Sequence, residues 1–135
     1  MLNLNYKIVV FLMGVLLIFN GGLMLLSSLV SFGYQDGITF EITLAAFLVL
    51  SIGALFMLFG RQHEKQIQKR EGYLIVSLGW LLMALSGTFP YLLTGTFTNF
   101  ASSFFETMSG YTTTGASVLD DIEILPEGIL FWILR

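Results

Sequence analysis

The sequence predicts an all-α membrane protein: two N-terminal transmembrane helices, then one repeat made of a helix, a re-entrant loop and a truncated second helix. Three observations predict it. Hydrophobic residues make up 56% of the 135-residue chain and charged residues 11%, against about 25% charged in ordinary soluble domains. The charges are spaced to leave uncharged runs at 8–35, 42–60 and 73–105, of 28, 19 and 33 residues. A membrane-crossing helix needs about 20 mostly apolar residues. The first two runs therefore supply one helix each. The third is too long for one helix and too short for two with a connection, which predicts a segment that enters the bilayer and turns back.

The first helix is expected over 8–31. A single lysine precedes it and its apolar stretch exceeds the roughly 7–15 residues of a signal-peptide core, so it is read as a retained helix. Asn20, Gly21 and Gly22 fall at its middle. In lipid, small residues admit a neighbouring backbone and asparagine bonds across helices, so this is a packing notch. Residues 32–41 form a turn rich in glycine and aspartate. The second helix follows over 40–60 and ends in the loop 61–71, which holds Arg61, Lys65, Lys69 and Arg70, four of the six basic residues.

Lysine and arginine collect on the cytoplasmic side. This places the N-terminus and loop 61–71 inside, and loops 32–41 and 117–126 outside, in a multi-pass membrane protein. Glu64 and Lys65 belong to a solvated helical extension, and His63, the only histidine, is read as a surface residue. Two units follow: a hairpin with its basic loop over 1–71, and the incomplete repeat over 72–135.

The third helix is expected over 72–93, kinked or ended by Pro90, with Gly95 as a stop signal. A short helix over 99–109 begins at Asn99 as N-cap. At about 16 Å it covers half a bilayer. Then come Thr112, Thr113, Thr114, Gly115 and Ala116, followed by Asp120, Asp121, Glu123 and Glu127, four acids without a base. Such a group fits neither lipid nor the basic inner side, so the chain returns to the outer face. Pro126 stands where the first turn of a helix tolerates it, and apolar residues run from there to Arg135.

A half-spanning helix points its C-terminal end, with about half a negative charge, at the membrane centre, where a cation is stabilised. An extended return then offers a row of main-chain carbonyls. Carbonyl rings that replace a hydration shell are the chemistry of potassium filters, and Gly115 permits dihedrals closed to other residues. On residues alone this segment is either such a filter strand or an ordinary extracellular loop. Glu106 either adds negative potential or bonds to backbone behind the filter; the second is preferred. Asp120, Asp121 and Glu123 either concentrate cations at an outer mouth or form a plain solvated loop.

Other functions find less support. Ser102, Ser103 and Ser109 are possible nucleophiles, but the only histidine is predicted on the opposite face and there is no cysteine. No enzyme and no cofactor is expected. Nucleic acid is not expected as a partner, since basic residues are few and the net charge is −3; the lipid bilayer is.

From residue 89 to 132 the sequence resembles the first pore-loop repeat of Trk-type potassium uptake proteins. The match is carried by Ser109-Gly110-Tyr111, Thr112-Thr113-Thr114-Gly115-Ala116, Leu125-Pro126 and Phe131-Trp132, in order and spacing. The region before Gly72 is similar in layout, with two helices ahead of the repeat.

The resemblance implies four such repeats around one pore and potassium as the substrate. It implies a place in the bacterial inner membrane and a filter strand of Thr112, Thr113, Thr114, Gly115 and Ala116, with the ion held at Thr113, Thr114 and Gly115 and the pore helix supporting it through Ser109 and Gly110; Glu106 joins them as the backbone-bonded support preferred above. A cytoplasmic nucleotide-binding subunit and a homodimer are implied as well. This chain carries one repeat, and after Trp132 it reads Ile133-Leu134-Arg135, which suggests a truncated product or a fragment. A non-transporting membrane interaction protein or an inactive fragment is the alternative reading.

Overall fold

The computed structural model describes residues 4–62 and 66–134. His63, Glu64, Lys65 and Arg135, read above from sequence, lie outside the described residues. Six helices follow in order: α1 (Tyr6–Tyr34), α2 (Thr39–Phe59), α3 (Lys69–Gly87), α4 (Phe89–Thr94), α5 (Phe100–Tyr111) and α6 (Glu127–Leu134). Among the described residues, three helical stretches are long and apolar enough to cross a membrane: α1, α2, and α3 continued by α4.

Helix α1 begins where the Asn5 side chain accepts the Ile8 amide and ends where Gln35 turns left-handed, at φ 54°. It is longer than the expected 8–31, because Gly33 is accommodated within its last turn and the break comes only at Gln35. Its last turn leaves Phe32 and Tyr34 exposed, the aromatic character of a membrane interface. The Asp36 side chain accepts the Ile38 amide at 3.2 Å, and Gly37 supplies a φ of 83°. That turn launches α2 antiparallel to α1.

The two helices meet through glycines seven residues apart. A Cβ on Gly14 would lie 2.7 Å from the Gly53 carbonyl oxygen, and one on Gly60 would lie 2.6 Å from the Lys7 carbonyl oxygen. Gly21 is as tight against Leu50. Small residues that let backbones approach are the membrane solution to helix packing, and of the notch expected at Asn20, Gly21 and Gly22 only Gly21 joins this longer seam, while Asn20 bonds to α3 and α5. Gly22 meets nothing. Ser28 and Thr43 share a hydrogen bond at the end of the hairpin that carries the turn at Asp36 and Gly37.

Helix α3 starts three residues before the expected Gly72. The Glu71 carboxylate makes the difference: it accepts the Gln68 amide at 3.0 Å and the Asn5 amide at 2.6 Å. The first bond is half of a capping box, and the second ties the starts of α1 and α3 together. Fifteen residues further along each helix, Asn20 Nδ2 donates to Ser86 Oγ at 2.7 Å. The two bonds share a sequence separation of 66 residues, so α1 and α3 run parallel and in step.

The chain breaks at Thr88, just ahead of Pro90, and resumes as α4 until Gly95 stops it at φ 69°. The proline thus interrupts the helix two residues before itself, where its ring excludes a continuous turn. The main core gathers Leu17 and Met24 of α1, Ile42 and Val49 of α2, Tyr91 of α4, and Ile129 and Trp132 of α6. Phe47, Leu55, Leu58 and Phe59 of α2 face outward, as on a helix that meets hydrocarbon.

The path after α4 fixes the re-entrant geometry. Asn99 caps α5, its side chain accepting the Ser102 amide at 2.7 Å. The twelve residues of α5 cover about 18 Å. Its last residue, Tyr111, donates its hydroxyl to Asn20 Oδ1. Asn20 is the fifteenth of the 29 residues of α1, so α5 ends level with the middle of that helix. By residue 128 the chain is back at the far end of α1: the Gly128 amide donates to Asp36 Oδ2 at 2.9 Å, and Ser27 Oγ donates to the Gly128 carbonyl. Between Tyr111 and Gly128 the chain has returned to the end from which α5 descended. Trp132 Nε1 then donates to the Gly87 carbonyl at 3.3 Å, pinning α6 to the end of α3.

Candidate ion-coordinating segment

The segment 112–116 sits at the tip of this excursion. Three of its amides turn back onto α5. Thr112 donates to the Met108 carbonyl at 2.9 Å, Thr113 to Gly110 at 3.3 Å, and Thr114 to Ser109 at 3.1 Å. Thr112 stands at φ −85° and ψ 1°, and Thr113 at φ 54°. A right-handed residue followed by a left-handed one directs successive amides to one side. Among the described residues no donor reaches the carbonyl oxygens of Thr112, Thr113, Thr114 or Gly115.

Left-handed geometry recurs at Gly115, with φ 74°. For glycine this is free. For Thr113, a β-branched residue, it is a strained conformation that costs about 1–3 kcal/mol. The residue type gives no warning of it, since threonine favours extended backbone. The hydroxyls of Thr112 and Thr114 pair with each other at 2.7 Å, and Thr112 Oγ1 also donates to the Met108 carbonyl. They brace the segment locally.

The two flanks are tethered as well. Ser109 Oγ donates to the Ala116 carbonyl. The buried Glu106 carboxylate accepts the Ser117 hydroxyl at 3.1 Å and the Val118 amide at 3.1 Å. This is the backbone-bonded arrangement preferred for Glu106 from sequence. Glu106, Ser109, Gly110, Thr113, Gly115 and Ala116 come together around a cleft of about 310 Å³. Thr112 and Thr114 lie outside its lining.

The C-terminal end of α5 has no basic residue in its last turn, so its partial negative charge meets no positive side chain within the helix. That charge and Glu106 make the neighbourhood of the segment favourable to a cation. Asp120, Asp121, Glu123 and Glu127 are exposed, and Asp121 Oδ1 accepts the Glu123 amide at 3.0 Å in a local turn. Ser117 and Ser86 were not singled out from sequence. Their hydroxyls matter through contacts 11 and 66 residues away, distances over which no local pattern speaks.

A family model described as a cation transport protein, TrkH, matches residues 38–134. The Trk system potassium uptake protein TrkH of Salmonella typhimurium is 33% identical over 130 residues, covering 96% of this chain and 27% of that protein. The Trk system potassium uptake protein TrkG of Escherichia coli is 32% identical over 94 residues, 69% of this chain and 19% of that protein. Among solved structures, the potassium transporter TrkH from Vibrio parahaemolyticus superposes with a TM-score of 0.89 at 31% identity, over 96% of this chain and 28% of that one.

The chain thus spans about a quarter of the length of these relatives. The similarity runs through the first two helices too, beyond the shared layout expected there. With the helical order and the returning segment in place over the same residues, the chain belongs to the TrkH family of cation transport proteins.

Proposed function

We propose that these residues form the N-terminal hairpin, 1–71, and the first pore repeat, 72–135, of the pore-forming subunit of a Trk-type potassium uptake system. The observation that carries this reading is the row of four carbonyls, Thr112 to Gly115, without donors at the level of the middle of α1. Irregular backbone is tolerated at membrane depth only where it is buried in protein or lines a wet cavity. Carbonyl oxygens in that position can replace the hydration shell of a monovalent cation.

In this reading Thr113, Thr114 and Gly115 hold potassium within the strand from Thr112 to Ala116. Glu106, Ser109 and Gly110 support the strand from α5. Four such strands complete the ring, and potassium is the substrate. The four basic residues of loop 61–71 support a cytoplasmic position for that loop, in the inner membrane. The relatives are named as proteins of a Trk system, which supports operation as part of a system; the family resemblance adds a cytoplasmic nucleotide-binding subunit and a second copy of the membrane subunit as partners.

Growth tests this. A full-length chain, in which these residues replace the matching quarter of a TrkH relative, is expected to restore growth of an uptake-deficient bacterium on limiting potassium. Failure of a stably inserted chimera to restore growth would count against transport and favour a membrane interaction protein.

A further inference from the structure

We propose that Asn20, on the first helix of the hairpin, is a positioning residue for the threonine-glycine segment and acts through Tyr111. The inference rests on the filter reading above and adds a determinant outside the pore repeat.

An asparagine at the middle of an apolar membrane helix is costly unless it is paired. Asn20 is wholly buried, and its amide group is used in both directions. Oδ1 accepts the Tyr111 hydroxyl, and Nδ2 donates to Ser86 Oγ at 2.7 Å. Ser86 Oγ in turn donates to the Met83 carbonyl at 3.1 Å. The donors run in one sense from α5 through α1 to the backbone of α3, and such a chain polarises each member.

Tyr111 is the last residue of α5, and Thr112 follows it directly. One edge of its ring lies against α3: a Cβ on Gly87 would lie 3.2 Å from Tyr111 Cε2 and 2.5 Å from Thr107 Cγ2. The close face at Gly87 fixes how near α5 approaches α3. It does not fix how far α5 slides along its own axis, since a smooth apolar contact resists sliding weakly. The hydroxyl supplies that stop: it sets the level at which α5 ends against α1. The outgoing flank is held by Ser109 and Glu106, which belong to α5 itself and move with it. Asn20 is thus the reference outside the repeat against which the depth of Thr112 to Gly115 is set.

The test uses the full-length chimera and reads uptake of potassium against sodium at matched protein levels in the membrane. Tyr111→Phe removes only the hydroxyl. Asn20→Leu removes the acceptor, and the donor to Ser86 with it, while keeping the branched shape and the number of heavy atoms. Loss of stability alone lowers the amount of protein and leaves the ion ratio of the remaining molecules unchanged. Each variant is expected to lower the potassium-to-sodium ratio by about threefold, the scale of one hydrogen bond between membrane helices. The double variant is expected to fall no further than the lower of the two singles.

Gly115→Ser, measured in parallel, separates the failures. If it lowers the ratio while Tyr111→Phe and Asn20→Leu do not, the positioning role is overturned and the filter reading stands. Additive effects of the two substitutions would also overturn it. If none of the three changes the ratio, the filter reading falls and this inference with it. Should Asn20→Leu fail to insert, the ratio of Tyr111→Phe decides alone.

Discussion

Gly115→Ser in the full-length chain is expected to reduce discrimination between potassium and sodium by about tenfold. Gly115 sits at φ 74°, and nothing lies within 4 Å of where its Cβ would be. The cost is therefore conformational, with no clash to relieve. An L-residue in the left-handed region costs about 1–2 kcal/mol. Serine lowers that cost by rotating towards negative φ, which swings the neighbouring peptide and takes its carbonyl out of the row. A carbonyl that turns away changes the ion's coordination more than the protein's stability, so selectivity falls before expression does. Competitive uptake of rubidium, as a potassium surrogate, and sodium measures it. An unchanged ratio would contradict the assignment of Gly115 to the filter.

Glu106→Ala is expected to have the largest effect on stability, a loss of about 3 kcal/mol. The buried carboxylate accepts the Val118 amide and the Ser117 hydroxyl, and bonds to a charged group are worth roughly 1.5–3 kcal/mol each. Removing it leaves two donors at the exit of the returning segment without their acceptor. Glu106→Gln separates the carboxylate's bonds from its charge. Glutamine Oε1 still accepts the Val118 amide, and the Ser117 hydroxyl can rotate to accept from Nε2. The glutamine variant is expected to lose only about 1 kcal/mol, one neutral hydrogen bond, and to keep most of its uptake. Thermal unfolding in detergent and ion uptake report the two effects. If glutamine proves as damaging as alanine, the negative charge itself is required, and the structural role given to Glu106 is wrong.

Much of the fold was legible because the bilayer imposes lengths. Uncharged runs of 28 and 19 residues could only be single crossings, and the 33-residue run matched neither one nor two. The excursion of α5 and its return follow from that mismatch and from the acids after Ser117. Local chemistry was equally readable at Asn99, which caps α5, and at Gly95, which stops α4. What escaped was tertiary. The Gln68–Glu71 capping box that starts α3 early is local, but the amide that Glu71 also receives from Asn5, at the start of a distant helix, is not. The glycine seam of Gly14, Gly53 and Gly60 depends on the register between two helices, which neither helix encodes alone.

The site divides in the same way. Gly115 was readable as a residue suited to unusual backbone, and it adopts one. The left-handed Thr113 runs against its residue type, and only the surrounding bonds that fix Thr112 and Thr114 account for it. The pairing of Tyr111 with Asn20 spans 91 residues. An asparagine in a membrane helix announces that a partner exists, without saying which.

The most direct measurement is the accessibility of residue 113. The chain has no cysteine, so Thr113→Cys and, as an exposed reference, Asp121→Cys give single labelling sites once any cysteines contributed by the rest of the full-length chain are removed. A bulky membrane-impermeant maleimide is expected to label position 121 quickly and position 113 slowly. A small cationic thiol reagent added from outside is expected to reach position 113, with potassium slowing the reaction. If position 113 takes up the bulky reagent as fast as position 121, the segment stands in open solvent, and re-entry into the membrane is contradicted.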